Sequence, residues 1–307
     1  MLSVHVTAQK SVAIVEVPPP VPAPGEALIA LKASSVNRGE LALIGMRDPG
    51  WAPGQDVAGV VVAAAADGSG PAEGSRVVGL AEQGAWSELV VVKASRLAVI
   101  PETVSDAQAA ALPMAGLTAL RTVRLLGSLL GREVLVTGAS GGVGRFQMQL
   151  AALSGARVTA FTRTEDELSG AYAVVADLDG AGPYDAALDG IGGTILADTL
   201  QTLRPGADLV WFGSTSGPTP LSIYDFIGHE GVTVRTYFSY AADNSRDTRD
   251  LDTLLGLAAT GALSVDISHC WPLTETAQAV TQLDNGGTRG KIILTNENTD
   301  QPERNHS

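Results

Sequence analysis

The strongest chemical signal in the chain lies in Val134–Gly144. A short apolar run, Val134-Leu135-Val136-Thr137, passes into Gly138-Ala139-Ser140-Gly141-Gly142-Val143-Gly144 and then into a helix-forming stretch. A strand, a glycine-rich turn and a helix in that order suit the diphosphate of a dinucleotide. Unpaired amides at the helix start and the positive end of its dipole attract the anion. Gly141 lets the backbone approach the ligand, and Gly144 lets the helix lie close on the strand. Ser140, Gly142 and Val143 complete the row of amides. The spacing is A-x-G-x-x-G, with Ala139 where a first glycine usually stands. The competing reading is a tight strand-to-helix turn with no ligand.

The end of the next strand bears on the choice of cofactor. NAD sites usually carry an acidic residue about 20 residues further on, bonded to the ribose 2′-hydroxyl. Here the strand ends at Phe161-Thr162-Arg163-Thr164. Arg163 can pair with a 2′-phosphate, with Thr162 and Thr164 as further donors, while Glu165 and Asp166 oppose it. The expectation is NADPH, with NADH second. The other reading of Arg163 is a solvated surface arginine.

These residues need elements to hold them. The first hundred residues read as short strands punctuated by glycine and proline: Val12–Val17, Ala27–Ala33, Val57–Ala65, Arg76–Leu80 and Trp86–Val92. That pattern fits a small barrel or sandwich. After Pro101 the period changes. Ser105 and Gln108 form a capping-box pair, and Leu117–Leu126 carries an apolar stripe. Strands at Glu133–Thr137, Arg157–Thr162, Ala173–Ala176, Ala186–Leu188, Leu209–Phe212 and Gly231–Phe238 then alternate with helices at Val143–Ser154 and Gly193–Leu203. Alternation of this kind marks a doubly wound parallel sheet, an α/β fold. Thr248–Thr260 and Glu275–Leu283 read as helices, Val265–Trp271 and Lys291–Thr295 as extended, and Asn296–Ser307 as a polar tail.

Composition narrows the classes. The 307 residues allow two domains. The apolar fraction of 45% is ordinary for a globular chain, and no run reaches the ~18 apolar residues of a membrane span. The first 25 residues show no basic stretch followed by an apolar core. The lone Cys270 excludes an intrachain disulfide and a cysteine-cluster zinc site. Together these point to a cytoplasmic protein. A net charge of −13 opposes nucleic-acid binding, and 35 glycines, well above the typical ~7%, signal many tight turns.

The order of these parts resembles the medium-chain dehydrogenase/reductases, in particular their zinc-independent quinone oxidoreductase branch, over about residues 12–295. The resemblance rests on Pro18–Glu26, Ser35-Val36-Asn37, Pro53-Gly54-Gln55-Asp56-Val57-Ala58-Gly59-Val60-Val61, Gly84-Ala85-Trp86-Ser87-Glu88, Ala115-Gly116-Leu117-Thr118-Ala119, the Val134–Gly144 stretch, Asp189-Gly190-Ile191-Gly192-Gly193, Phe212-Gly213-Ser214 and Gly290-Lys291. It implies a chaperonin-10-like β-barrel catalytic domain (1–105 and 265–307) and a Rossmann domain (106–264), with the cofactor in the cleft between them. It also implies a homodimer. Zinc-dependent members use a cysteine, a Gly-His-Glu stretch and a four-cysteine lobe. Here Asn37 lies near the first position, Gly54-Gln55-Asp56 replaces the second, and no lobe exists. His5, His229, His269 and His306 show no i, i+4 pairing. No metal is expected.

The implied reaction is hydride transfer from NADPH to a quinone or an α,β-unsaturated carbonyl. Asn37 is the catalytic candidate, an amide able to donate to the substrate carbonyl or the nicotinamide amide; alternatively it is a turn asparagine. Thr118, Gly213, Ser214 and Lys291 are implied cofactor contacts, each with a purely structural reading beside it. The chain departs from the family at Ala42, where a tyrosine is common, at Thr164–Leu168, where a lysine is common, and at Asp177, where a tyrosine is frequent. The first departure leaves two other functions open: an enoyl-thioester reductase and a non-catalytic nicotinamide-binding sensor or structural protein. The last two bear on NADPH.

Overall fold

Glycine and proline breaks and a two-residue apolar period produce the strands of the N-terminal part. The computed structural model describes residues 1–162 and 168–296. Its elements begin with β1 (Leu2–Val6), β2 (Val12–Glu16), β3 (Glu26–Val36), α1 (Arg38–Met46), β4 (Asp56–Ala63), β5 (Arg76–Leu80), β6 (Leu89–Lys93), β7 (Leu97–Val99), α2 (Asp106–Ala110) and α3 (Pro113–Leu125). The Ser105–Gln108 capping box opens α2 as expected. In β3, Ala27, Ile29, Leu31 and Ala33 turn one face inward. The first three pack with Val57, Val61, Val77, Val90, Val92 and Leu97 in one apolar cluster.

The middle of the chain supplies β8 (Glu133–Thr137), α4 (Gly142–Leu153), β9 (Arg157–Phe161), β10 (Ala173–Val175), β11 (Tyr184–Asp189), α5 (Gly193–Gln201), β12 (Leu203–Trp211) and β13 (Thr233–Thr236). The sheet order is β10-β9-β8-β11-β12-β13, and every pairing is parallel. Counted from β8 this is the 3-2-1-4-5-6 order of a Rossmann fold, whose switch point lies beside β8. The sheet centre is fully apolar, with Val134, Leu135, Val136, Ala186, Ala187 and Leu188 all buried. The helix expected to reach Leu203 stops at Gln201. Thr202 caps it, its hydroxyl donating to Thr199 O at 2.7 Å, and the chain enters β12 six residues earlier than the apolar run Leu209–Phe212 suggested.

The chain closes with α6 (Asp247–Ala259), β14 (Ile267–Pro272), α7 (Thr276–Asp284) and β15 (Lys291–Thr295). β15 pairs antiparallel with β3, which completes the order β14-β15-β3-β4-β5-β7, with β6 also on β3. Internal contacts divide the chain into two units. One holds Met1–Met114, Ser245–Ala259 and the residues from Ile267, and the other holds Ala115–Asn244 and Thr260–Asp266. The division therefore differs from the sequence boundaries of 105/106 and 264/265: α2 and α6 group with the barrel. For α6 the reason is concrete. Its Leu251, Leu254 and Leu255 are buried, Arg96 Nε meets Asp247 Oδ2 at 2.6 Å, and Thr248 Oγ1 donates to Ser95 O at 2.8 Å.

Candidate active site

At the end of β8 the positive φ that the turn requires falls on Gly138 (φ +63°). Ala139 is spared that conformation, so an alanine serves where the fingerprint usually has glycine. The Gly141 amide donates to Gly138 O at 3.0 Å and closes the turn, and Gly141 is the N-cap of α4. The amides of Gly142, Val143 and Gly144 occupy the first turn, where no carbonyl lies one turn back to receive them. They are the groups an anion would take. A Cβ on Gly144 would lie 2.3 Å from Gly138 O and 2.8 Å from Ala139 Cα, so the helix rests directly on the turn backbone. Arg145 braces the same loop: Nε donates to Ser140 O at 3.0 Å and Nη1 to Asp266 Oδ2 at 2.8 Å.

Parallel strands bring their carboxyl ends to one edge, and the remaining Rossmann candidates lie there. Asp189, at the end of β11, is buried and accepts from Thr137 Oγ1 (2.6 Å), Gly192 N (2.7 Å) and Ile191 N (3.2 Å). Burial pushes its carboxyl above the usual aspartate range, and these three donors pull it back. Gly213 follows β12, and a Cβ there would lie 2.4 Å from Gly190 O. Ser214 Oγ donates to Gly217 O at 2.9 Å. Thr162 directly follows β9, with its amide on Val175 O at 3.1 Å. Thr118 is buried on α3, one turn before Thr122, whose hydroxyl accepts from Gln147 Nε2 at 2.8 Å. Arg163 and Thr164 lie outside the described residues.

Asn37 stands in the barrel unit within a buried charged cluster. Strand register builds the cluster. The β15–β3 ladder pairs Ile292 with Val36, so the next step sets Lys291 opposite Asn37. The β3–β4 ladder pairs Ala33 with Ala58, so two further steps set Ser35 opposite Asp56. Lys291 Nζ donates to Asn37 Oδ1 at 2.5 Å and to Val36 O at 3.4 Å, and lies 3.9 Å from Asp56 Oδ2. Asn37 Nδ2 donates to Asp56 Oδ2 at 2.8 Å, the Met114 amide donates to Asp56 Oδ1 at 2.8 Å, and Ser35 Oγ donates to Asp56 Oδ2. The Asn37 amide donates to Glu40 Oε2 at 2.8 Å, while Glu40 Oε1 is buried without a partner among the described residues. Burial first, and the Asp56 charge second, push the Glu40 carboxyl up to about 8; burial lowers Lys291.

The structure thus gathers Ser140–Gly144, Thr162, Gly213 and Ser214 along the carboxyl edge of one sheet. It places Asn37 and Lys291 together in the other unit, with the Lys291 ammonium engaged by the barrel's own groups. Sequence reasoning missed Asp189, Arg145 and Glu40 as site residues. Asp189 stands in the Asp189–Gly193 motif, Arg145 directly follows Gly144, and Asn37 and Glu40 have the spacing of a capping box, so each had a local signal.

Two family descriptions match this chain: an alcohol dehydrogenase GroES-like domain over residues 23–102 and a zinc-binding dehydrogenase over residues 155–294. A mycobacterial quinone oxidoreductase superposes with a TM-score of 0.84 at 27% identity, covering 96% of this chain and 99% of that one. The chain belongs to the medium-chain dehydrogenase/reductase superfamily. A mycobacterial structure complexed with NADPH gives a TM-score of 0.85 at 27% identity over 96% of this chain and 99% of that one. A spectinabilin polyketide synthase system protein, NorB of Streptomyces orinoci, is 31% identical over 290 residues, 89% of this chain. The chain spans only 13% of that relative's length.

Zinc, which one of these superfamily descriptions names, does not suit the donors present. Asn37, Gln55 and Asp56 offer no thiolate or imidazole, and the Lys291 ammonium already supplies the positive charge between Asn37 and Asp56.

Proposed function

We propose that this chain is a zinc-independent, NADPH-dependent oxidoreductase that reduces a quinone or an α,β-unsaturated carbonyl. One observation carries the reading: the Gly138–Gly141 turn leads into α4 at the switch point of a 3-2-1-4-5-6 sheet, with the Gly142, Val143 and Gly144 amides at the helix start. That arrangement fits a dinucleotide diphosphate. Likeness to a quinone oxidoreductase and to an NADPH complex supports the class and the cofactor. When bound, the reduced nicotinamide would supply a hydride, that is a proton together with two electrons, to an electron-poor carbon. The substrate oxygen then gains negative charge, which a fixed amide donor such as Asn37 Nδ2 stabilises. The Gly141–Gly144 backbone and Ser140 hold the diphosphate, with Thr118, Thr162, Gly213 and Ser214 along the rest of the cofactor. A homodimer and a cytoplasmic setting belong to the same reading.

The test is NADPH oxidation by wild-type protein against quinones, enals and acyl thioesters. Turnover with quinones or enals supports the proposal. Turnover with thioesters alone replaces it with the second reading, an enoyl-thioester reductase, which the likeness to NorB favours. Cofactor binding without turnover leaves the non-catalytic reading. Arg163 is checked in parallel by fluorescence titration. Arg163→Ala should weaken NADPH by about 1.5–3 kcal/mol, the range of a charged hydrogen bond, and spare NADH. Equal losses for the two nucleotides would remove Arg163 from the 2′-phosphate.

A further inference from the structure

We infer that Lys291 is a positioning residue, whose ammonium fixes the Asn37 amide in the one orientation that presents an Nδ2 hydrogen to a substrate carbonyl. The inference rests on the function proposed above and assigns a role to a lysine that the family resemblance offers to the cofactor.

An ammonium only donates, and an ionised carboxylate only accepts. Asn37 sits between one of each: Lys291 Nζ lies 2.5 Å from Oδ1, and Asp56 Oδ2 lies 2.8 Å from Nδ2. Turning the amide over would set its N–H groups against the ammonium and its oxygen against the carboxylate, so both contacts would become repulsive. An asparagine in a surface turn has no such constraint and exchanges its two faces. Nδ2 carries two hydrogens, and Asp56 takes one. The other is a donor with a fixed direction, strengthened because the ammonium draws charge toward Oδ1.

Position supports the assignment. Lys291 is 4% exposed and lies one residue beyond the last β15–β3 pair, Ile292 with Val36, where its Nζ reaches Asn37, 254 residues away in sequence. Asn37, at 9%, is the most exposed of the four groups, the others being Lys291, Glu40 and Asp56. Asp56 is itself tied by Ser35 and the Met114 amide, so the frame around Asn37 has few ways to adjust. An ammonium with this many partners inside the barrel serves its own unit.

The experiment compares Lys291→Met, Lys291→Gln and Lys291→Arg with wild type. Two readouts are taken: steady-state kinetics with NADPH and a quinone or enal, and the Asn37 side-chain amide resonances in cofactor-free, ¹⁵N-labelled protein. Lys291→Met and Lys291→Gln should lower kcat by about a hundredfold, the scale of one lost oxyanion donor. The NADPH Kd should stay within about twofold of wild type, and the Asn37 amide signals should move or broaden, as release from a charged hydrogen bond requires. Lys291→Arg, which keeps the charge and the donors, should recover most of both. A tenfold or greater loss of NADPH affinity with kcat preserved would overturn the inference and return Lys291 to the cofactor. An unmoved Asn37 resonance would overturn it as well. If Lys291→Met fails to fold, Lys291→Gln and Lys291→Arg carry the same two readouts. If wild type reduces none of the acceptors, the functional reading fails, while the amide resonances still decide whether Lys291 fixes Asn37.

Discussion

Gly144→Ala should weaken NADPH binding by about tenfold or more, roughly 1.4 kcal/mol, while the barrel unit stays folded. The added methyl would lie 2.3 Å from Gly138 O, 2.8 Å from Ala139 Cα and 2.9 Å from Gly138 C. All three are backbone atoms of the turn that holds the amides, so none can swing aside as a flexible side chain would. Either α4 lifts off β8 or the turn opens, and both move Gly141–Gly144 relative to one another. Forcing a methylene-sized group into a packed contact typically costs about 1–3 kcal/mol. Against it stands the better helix propensity of alanine, worth about 1 kcal/mol at most. The clash outweighs it. Gly45→Ala is the control: Gly45 lies within α1 with nothing within 4 Å of its Cβ position, and it should be neutral or slightly stabilising. Fluorescence titration with NADPH and far-UV circular dichroism separate the two effects. An unchanged Kd for Gly144→Ala would mean that the turn does not grip the diphosphate.

The contrast between those two glycines shows what a sequence makes legible. Val134–Gly144 is a local signal: strand, turn and helix are contiguous, and their period and glycines are enough to place them. β5, β8 and β15 match their expected bounds for the same reason, as short apolar runs between clear breakers. The apolar run Leu209–Phe212 marks only the end of β12, because Arg204, Pro205 and Gly206 carry no apolar period, yet Leu203–Trp211 forms one strand. The Asn37 cluster was illegible in another way. Its members come from β3, α1, β4 and β15: a helix cap joins Asn37 to Glu40 locally, while only the pairing of distant strands brings Asp56 and Lys291 to them. No local period states that Lys291 will oppose Asn37 or that Ser35 will oppose Asp56. Residue types predicted a donor at Asn37, while the pairing of distant strands supplied the groups that hold it. α6 follows the same rule: Thr248–Thr260 reads as a helix, but the partners that hold it in place, Arg96 and Ser95, lie about 150 residues earlier.

Glu40 gives that buried cluster a measurable signature in stability. Its carboxyl accepts the Asn37 amide through Oε2, but Oε1 has no partner among the described residues, and Asp56 lies close by. Burial is the larger cause and the Asp56 charge the second, and together they raise its pKa from 4.5 to about 8. The folded protein therefore keeps a proton on Glu40 at neutral pH, while the unfolded chain releases it near 4.5. Between these values the native state holds one proton more than the unfolded state, so stability falls as pH rises. The slope is at most about 1.4 kcal/mol per pH unit for one group. The penalty is absent below about pH 4.5 and complete above about pH 8. Glu40→Gln keeps an acceptor for the Asn37 amide and removes the titration. Urea unfolding at about pH 5, 6.5 and 8 should give a small difference at the lowest pH, with the variant gaining steadily on wild type as pH rises. Taking the difference cancels the drift that the other acidic groups of a chain with net charge −13 add to both proteins. A difference that stays flat across this window would show that Glu40 ionises normally in the folded state.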